Sequence, residues 1–255
     1  VNIENLWVDI HWVDYGPFGR LKRRQGTIVP LKEQAPLGKE NAYFHRFKEY
    51  QLLPIKTHLL GPLDDIYEIL STYTSGIIQH GDILTIGETP LAIMQGRYQH
   101  PSTINISWVA RFLCRAFHPT SSLATACGMQ TLIDLVGPSR VILSWTVGVL
   151  TKSIGLKGVF YRLAGEQARL IDDITGTTPP YDQTIVLGPI RSKKICQEIS
   201  QQLGIDIAVV DVNDLGRVKV LAASKNCDRR ILRRALVSNP AGNRNERTPL
   251  VIVRP

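Results

Sequence analysis

Acidic and amide side chains are concentrated in two segments of the sequence, residues 170–182 and residues 210–217. The first segment carries three carboxylates and four hydroxyls from Thr and Tyr. The second carries two carboxylates and one amide where a buried strand is expected to end. Such oxygen ligands suit Mg²⁺ or Mn²⁺, and strand ends are common ligand-binding positions in α/β architectures. The candidate metal ligands are Asp172, Asp173, Asp211 and Asp214.

The second segment also has a purely structural explanation. Asn213, Asp214 and Gly216 are residue types that favour turns, so residues 213–216 could simply reverse the chain between two strands. The pattern alone favours the turn. A metal site and a turn are therefore both open interpretations of this segment.

A third candidate group follows another expected strand, residues 82–86. Glu88 comes directly after the turn residue Gly87, and Arg97 follows nine residues later, so the two side chains could bind substrate. The pattern alone favours an ion pair on the protein surface. The six histidines have no zinc-ligand spacing. The sequence also contains no P-loop, no G-x-G-x-x-G fingerprint and no G-x-S-x-G elbow.

The composition narrows the classes of partner. The chain has 255 residues and a net charge of +8, with basic clusters at residues 20–24, 191–194 and 229–234. Solvated faces explain such clusters most simply, and an anionic small-molecule substrate or an acidic membrane surface are the alternatives. No aromatic residues alternate with the basic clusters, so we expect no nucleic-acid partner. The four cysteines lack C-x-x-C spacing and are interpreted as reduced thiols.

The sequence predicts a cytoplasmic protein. No segment approaches the roughly 18 consecutive apolar residues of a membrane span, and no signal peptide follows Val1. The first residues nevertheless read as a β-hairpin, which is marginally stable alone. We therefore hypothesise that residues 1–35 are the tail of an upstream β-domain. A membrane tether in that missing part is an open alternative.

The alternation of apolar runs and turn residues predicts an α+β fold with a mixed sheet and helices. Residues 36–50 are polar and rich in turn residues, which is typical of a linker, and residues 51–255 form the main domain. The expected strands are residues 6–13, 26–31, 51–56, 82–86, 158–163, 184–187, 205–210, 218–222 and 249–253. The expected helices are residues 63–72, 107–117, 123–136, 141–152, 192–203 and 229–237.

From about residue 52 to the C-terminus, the chain resembles the coenzyme F(420)-0:gamma-glutamyl ligase family. The family has a Pro-containing opening strand, an acidic helix start, a Gly-Asp-Val-Leu strand and a turn that ends in Glu-Gly-Arg. The matching segments here are residues 53–55, 63–66, 81–84 and 95–97. The metal-binding Ser-Asp-Thr-Asn segment of the family resembles residues 210–213. Its closing Ile-Pro-Ala-Val-Val-Val-Arg strand resembles residues 248–254. The helical block 107–152 resembles the family less.

This resemblance implies amide ligation of glutamate to a carboxylate substrate through an acyl phosphate derived from GTP or another nucleotide. It also implies a Mg²⁺ or Mn²⁺ site, built by Asp211 and one of Asp172 or Asp173 facing a shared cleft, and a homodimer. The implied nucleotide- and substrate-binding residues are Thr57, His58, Glu88, Arg97 and Asn213. No catalytic residue is assigned.

Two positions matched to the family's GTP site depart from it. Glu88 stands where the family has a serine, and Ile93 stands where it has a lysine. A carboxylate beside a triphosphate adds repulsion unless a metal or Arg97 offsets it, so we expect GTP binding to be weak or absent. A catalytically retired domain that binds a metabolite or a protein partner is the alternative function.

Overall fold

A computed structural model describes residues 3–16, 19–31, 42–119, 121–156, 158–172, 179–213, 216–242 and 247–255. The strands are β1 (Asn5–Gly16), β2 (Gly19–Pro30), β3 (His45–Phe47), β4 (Tyr50–Ile55), β5 (Ile83–Gly87), β6 (Tyr98–Gln99), β7 (Ile185–Val186), β8 (Asp206–Val212), β9 (Val218–Ala223) and β10 (Leu250–Arg254). The helices are α1 (Ile66–Thr74), α2 (Glu88–Met94), α3 (Trp108–Leu113), α4 (Ala126–Val136), α5 (Pro138–Ser153), α6 (Val159–Ala164), α7 (Ser192–Leu203) and α8 (Arg229–Ala235).

The chain divides into two compact units. The first comprises Val1–Val8, Thr27–Arg97 and Pro189–Pro255, and the second comprises Asp9–Gly26 and Tyr98–Gly188. The predicted α+β class, with a mixed sheet, helices and an N-terminal hairpin, is confirmed. The predicted boundaries of hairpin, linker and main domain stay a prediction, although β3 lies within the segment expected to be a linker.

A six-stranded sheet organises the first unit, in the order β3-β4-β10-β5-β8-β9. Neighbouring strands are antiparallel except for β5 and β8, which run parallel with Ile83 opposite Asp206 and Gly87 opposite Val210. One face of the sheet packs under α1 and α7, which bury Leu70, Tyr73, Cys196 and Ile199 against it. The other face is covered by α8 through residues such as Leu232 and Ala235.

The ends of the main helices follow the chemistry of the sequence. Asp65 caps α1 by accepting hydrogen bonds from the backbone N–H groups of Tyr67 and Glu68. Gly204 ends α7 in the left-handed conformation at φ 70°, which is accessible to glycine at little cost. The segment predicted as a helix over residues 192–203 is therefore confirmed with its boundaries.

The second unit is mainly helical. Helices α3 to α6 surround a buried cluster that includes Met129, Leu132, Val141 and Phe160, and β6 pairs with β7 beside it. No single helix among the described residues has the length and apolarity to cross a membrane. Helices α4 and α5 together meet that test only as a pair bent by 116°.

The prediction of a strand over residues 158–163 is wrong, because this segment forms α6. Gly158 has φ 77° and Gly165 has φ 102°, so a glycine with positive φ stands at each end and limits the segment to a short helix. Phe160 and Ala164, four residues apart, are both buried in the helical cluster. A spacing of four residues puts two side chains on one face in a helix and in a strand alike, so the sequence does not distinguish them. Packing against α5 is what makes this segment a helix.

A two-stranded antiparallel hairpin, β1 and β2, forms a sheet of its own. Residues 17 and 18 of its predicted turn lie outside the described residues. Apolar side chains are exposed along β1, including Leu6, Ile10, Trp12 and Val13. The hairpin therefore presents an apolar surface that two strands alone do not bury.

An ion pair is buried at the edge of the six-stranded sheet where β5 and β8 begin. Arg254 donates to both carboxylate oxygens of Asp82 at 2.8 Å, and the carboxylate is 1% exposed. Asp82 also accepts the N–H of Gln79 at 2.9 Å, and the Arg254 guanidinium lies 4.2 Å from the ring centroid of Phe44. The hydrogen bonds that Arg254 donates to Asp82 raise the pKa of Arg254. This bidentate pair joins the last strand of the chain to the centre of the sheet.

Replacing Asp82 with asparagine should lower the free energy of unfolding by about 2 kcal/mol, because the partly buried Arg254 guanidinium would lose its counter-ion. Urea denaturation followed by circular dichroism measures the loss. The control is Glu198→Gln, which breaks the exposed Lys194–Glu198 pair at 3.5 Å and should cost less than about 0.5 kcal/mol. Equal losses for the two variants would contradict the prediction.

Candidate functional site

The parallel pairing of β5 with β8 brings two predicted site residues together. Gly87 is opposite Val210 in the register, so Glu88 and Asp211 are the next residues beyond that pair. Adjacent strands are about 4.8 Å apart, so the two carboxylate-bearing residues start from neighbouring backbone positions. We call the edge of the sheet where β5 and β8 end the carboxyl edge.

Thr57 reaches the same edge from β4. Ile55 and Ile86 are both opposite Leu250. Thr57 and Glu88, each two residues further along, therefore lie at the same level of the sheet. The Thr57 N–H donates to the carbonyl of Arg247 at 2.9 Å, which extends the pairing past the end of the strand. Side chains alternate between the two faces along a strand. By this alternation, Thr57, Glu88 and Asp211 follow on from the face of the sheet that α1 and α7 cover.

Asp211 occupies an electrostatically unfavourable position. Its pKa is raised because the protein around it removes water from the carboxylate, and attraction to Lys219, its neighbour across the β8–β9 ladder, only partly opposes this effect. The side chain itself remains exposed to solvent. Asp211 is therefore a carboxylate whose charge is poorly compensated but accessible to a ligand.

Glu88 and Arg97 bracket α2. Glu88 is the first residue of that helix and is 7% exposed, in contrast to the surface ion pair that the pattern alone favoured. Arg97 is partly buried, and desolvation lowers its pKa. Removal of water disfavours the charged form of a basic group, which is why the shift is downward. Pairing of Arg97 with Glu88 stays a prediction.

The N-terminus of α7 also lies at the carboxyl edge. Only Gly204 and Ile205 separate the end of α7 from β8, so the helix runs antiparallel to β8 and its first turn lies near the end of that strand. Gln95 holds this start in place: its side-chain amide donates to the carbonyl of Ile190 and accepts the N–H of Ile190, both at 2.9 Å. The first turn of α7 therefore adjoins residues 95–97.

No side chain caps the first turn of α7. The turn carries Ser192, Lys193 and Lys194, and the preceding Arg191 has φ 55°. Backbone N–H groups and the helix dipole make such a terminus favourable for an anion, and the two lysines add charge of the same sign. This basic cluster is visible in the sequence, but its place in a site is not, because only the direction of α7 brings it to the carboxyl edge.

His58 and Tyr73 belong to a hydrogen-bonded chain inside the first unit. The ring nitrogens of His58 lie 2.7 Å from the Tyr73 hydroxyl and 3.0 Å from the Asp64 carboxylate, which also accepts the Gly61 N–H at 2.7 Å. Thr57 is fully buried, and its hydroxyl donates to the carbonyl of His58 at 2.7 Å. These contacts orient the loop after β4, and they occupy both nitrogens of the predicted substrate-binding histidine.

Asn213 forms part of the turn between β8 and β9. Its side-chain oxygen accepts the N–H of Arg217 at 3.1 Å, and its carbonyl accepts the N–H of Gly216 at 3.1 Å. Gly216 has φ 70°, a conformation that favours glycine. The turn interpretation of residues 213–216 is confirmed for the two described residues. Asp214 lies outside the described residues.

The metal site is not assembled by the described residues alone. Within them, no group of three or more His, Cys, Asp or Glu side chains is placed to hold a metal ion. Asp211 belongs to the first unit, whereas Asp172 belongs to the second, where its backbone bridges to Val186 through hydrogen bonds of 2.8 and 2.9 Å. Asp173 lies outside the described residues. Metal binding by these four aspartates stays a prediction.

Comparison with known proteins gives one family match. The family model for the N-terminal Ig-like domain of F(420)-0:gamma-glutamyl ligase matches residues 1–33. No curated protein matches the chain. The match covers the hairpin region, whereas the resemblance found in the sequence begins at about residue 52.

Replacing Asp211 with asparagine should stabilise the protein at neutral pH and not at low pH. Below both the unfolded and the folded pKa the carboxyl is protonated in both states and costs nothing. Above both, the folded state carries the uncompensated charge, so stability falls as the pH rises through the interval above the ordinary aspartate pKa. Thermal melts at pH 3 and pH 7 measure the difference.

Lys219→Met is the matched variant for this test. It removes the cation that lowers the pKa of Asp211, so it should deepen the loss of stability at neutral pH. The same change in melting temperature for Asp211→Asn at both pH values would show that Asp211 is not desolvated as described.

Proposed function

We propose that the carboxyl edge of the six-stranded sheet binds an anionic small molecule, and that this chain is a divergent F(420)-0:gamma-glutamyl ligase-like protein. The observation that carries the proposal is that Glu88 and Asp211 lie at the same end of the sheet as the uncapped, basic first turn of α7. The match of the N-terminal region to a ligase-family domain supports the same family from a separate part of the chain.

In this proposal, the site binds two ligands, a nucleotide that donates a phosphoryl group and a substrate that carries a carboxylate. Transfer of the terminal phosphoryl group of the nucleotide to the substrate carboxylate would give an acyl phosphate and a nucleoside diphosphate. The amine of glutamate would then attack the acyl carbon, forming the amide and releasing inorganic phosphate. The backbone N–H groups and lysines at the start of α7 would hold phosphate oxygens. Mg²⁺ or Mn²⁺ and a homodimer are expected with this activity.

Specific observations favour the alternative, a domain that binds a metabolite or protein partner without catalysis. Ile93, at the position of the family's lysine, is a buried residue of α2 with 7% exposure. That position therefore supplies no cation to a phosphate. Thr57, His58 and Asn213 use the predicted ligand-binding atoms in internal hydrogen bonds. These features count against the ligase reaction, and they do not involve the basic first turn of α7 on which the anion site depends.

The proposed anion site is tested with probes added one at a time: inorganic phosphate, GTP, ATP and glutamate, each with and without Mn²⁺. A ligand of the native state raises the melting temperature. We expect at least one probe to do so, and Lys193→Gln to reduce the shift because it removes a cation from the first turn of α7. The control Arg230→Gln removes one from the start of α8, two residues after the capping Asp228. No shift with any probe, or equal loss in both variants, would refute the site.

GTP itself should bind weakly or not at all, because Glu88 is buried beside the site. Removing this charge by Glu88→Gln should strengthen binding measured by titration calorimetry with GTP and Mn²⁺. The control is Glu49→Gln, which makes the same charge change next to the first residue of β4, at the opposite edge of the sheet. Micromolar binding of GTP by the unaltered chain would overturn the expectation and favour the ligase activity over its alternative.

We also propose that β1 and β2 belong to an Ig-like β-domain. The match over residues 1–33 and the exposed apolar side chains of β1 support this assignment. Amide hydrogens of β1 that face away from β2 should exchange rapidly in this chain and slowly in a longer chain that supplies neighbouring strands. Equal exchange in both chains would count against the domain.

A further inference from the structure

Helix α5 has most of its bulky aliphatic side chains facing solvent. The inward side is formed chiefly by the small residues Val141, Ser144 and Gly148, with Trp145 partly buried against the core, and a Cβ on Gly148 would lie 2.9 Å from the Cβ of Phe160. Leu143 and Leu150 are each 63% exposed. An ordinary surface helix has the opposite arrangement, with large apolar residues inward. The close approach of α6 requires the small residues, whereas no described residue of this unit covers the large ones outside.

The exposed apolar residues continue beyond α5. Phe112 of α3 is 58% exposed, and its ring centroid lies 6.0 Å from that of Trp145 of α5. Trp108 lies one turn before Phe112 on the same side of α3 and is 78% exposed. We call the following set the apolar surface: Trp108, Phe112, Ile142, Leu143, Val149, Leu150, Ile154 and Leu156.

The polar groups among these residues are satisfied within the helix. The hydroxyl of Thr146 donates to the carbonyl of Ile142 at 3.0 Å, and the hydroxyl of Ser153 donates to the carbonyl of Leu150 at 2.6 Å. Hydroxyls bonded in this way carry no unmet demand for water. They can therefore enter an apolar medium at little cost, which is a requirement for contact with lipid.

The charge of this segment is strongly one-sided. The two stretches that carry the apolar surface, residues 108–116 and 138–156, contain four Lys and Arg residues and no Asp or Glu. All four cations are exposed: Arg111, Arg115, Arg140 and Lys152. Two such surfaces would repel each other across a symmetric dimer, whereas an anionic surface would attract them.

We propose that the apolar surface docks onto an anionic lipid membrane, with α5 lying in the plane of the interface. Bulky aliphatic and aromatic side chains enter the boundary between headgroups and acyl chains, and the surrounding lysines and arginines contact lipid phosphates. The proposal concerns peripheral binding. It is independent of the anion site at the carboxyl edge, which belongs to the first unit.

Sedimentation with vesicles of equal parts phosphatidylglycerol and phosphatidylcholine tests the proposal on the intact chain. We expect binding that weakens at high salt, a blue shift of tryptophan fluorescence that Trp108→Phe reduces, and little binding to pure phosphatidylcholine. Leu150→Glu should weaken binding at least tenfold, because an anion replaces a leucine that would enter the membrane. Lys152→Gln should weaken it about fivefold.

Leu63→Glu is the matched control, since Leu63 is 70% exposed but belongs to the first unit. It should leave vesicle binding unchanged. The proposal is overturned if anionic vesicles bind no protein, if binding does not depend on anionic lipid, or if Leu63→Glu and Leu150→Glu have equal effects. It is also overturned if sedimentation velocity shows a dimer that Leu150→Glu dissociates, because a second copy would then cover the surface.

Discussion

The parallel pairing of β5 with β8 is the constraint on which the candidate site depends. Two parallel neighbours cannot be joined by a tight turn, so the chain must return to the start of the sheet before β8 begins. That return includes α2, residues 98–188 and finally α7. The pairing makes both strands end at one edge, and it makes α7 begin there. Residues distant in sequence, such as Glu88, Ser192 and Asp211, are thereby brought to one edge of the sheet.

The two edges of this sheet treat carboxylates in opposite ways. Where β5 and β8 begin, Asp82 is matched by a bidentate arginine, and Asp206 accepts a hydrogen bond from the hydroxyl of Ser224 at 2.6 Å. Where they end, desolvation raises the pKa of Asp211, and Lys219 opposes this effect only in part. Compensated charge stabilises the fold, whereas poorly compensated charge costs stability and is typical of binding sites. The contrast supports the proposal that the carboxyl edge binds a ligand.

The second unit shows a different use of apolar residues. Its core is filled by residues such as Met129 and Leu132, while α5 places small residues inward and leucines outward. A core helix needs large inward side chains to exclude water. The inverted arrangement of α5 indicates that its outer side chains contribute to an interaction outside the unit and not to folding.

The sequence by itself determined the elements with strong local patterns. Asp65 and Gly204 mark the ends of helices because a carboxylate caps N–H groups and glycine tolerates positive φ, and both effects act within a few residues. The apolar runs of β5, β8 and β10 likewise predicted these strands, and the hairpin was also predicted from the sequence. In contrast, residues 158–163 carried apolar side chains in a run too short to distinguish strand from helix, and packing against α5 made it a helix.

Only the tertiary structure decided which candidate residues meet. The β5–β8 register places Asp211 and Glu88 at neighbouring backbone positions, whereas Asn213 and His58 form internal hydrogen bonds. The sequence alone favours a solvated face for the basic cluster around Lys193. The direction of α7 places this cluster at the carboxyl edge. Pairing between distant strands and the direction of a returning helix depend on long-range contacts, and local sequence patterns do not encode those contacts.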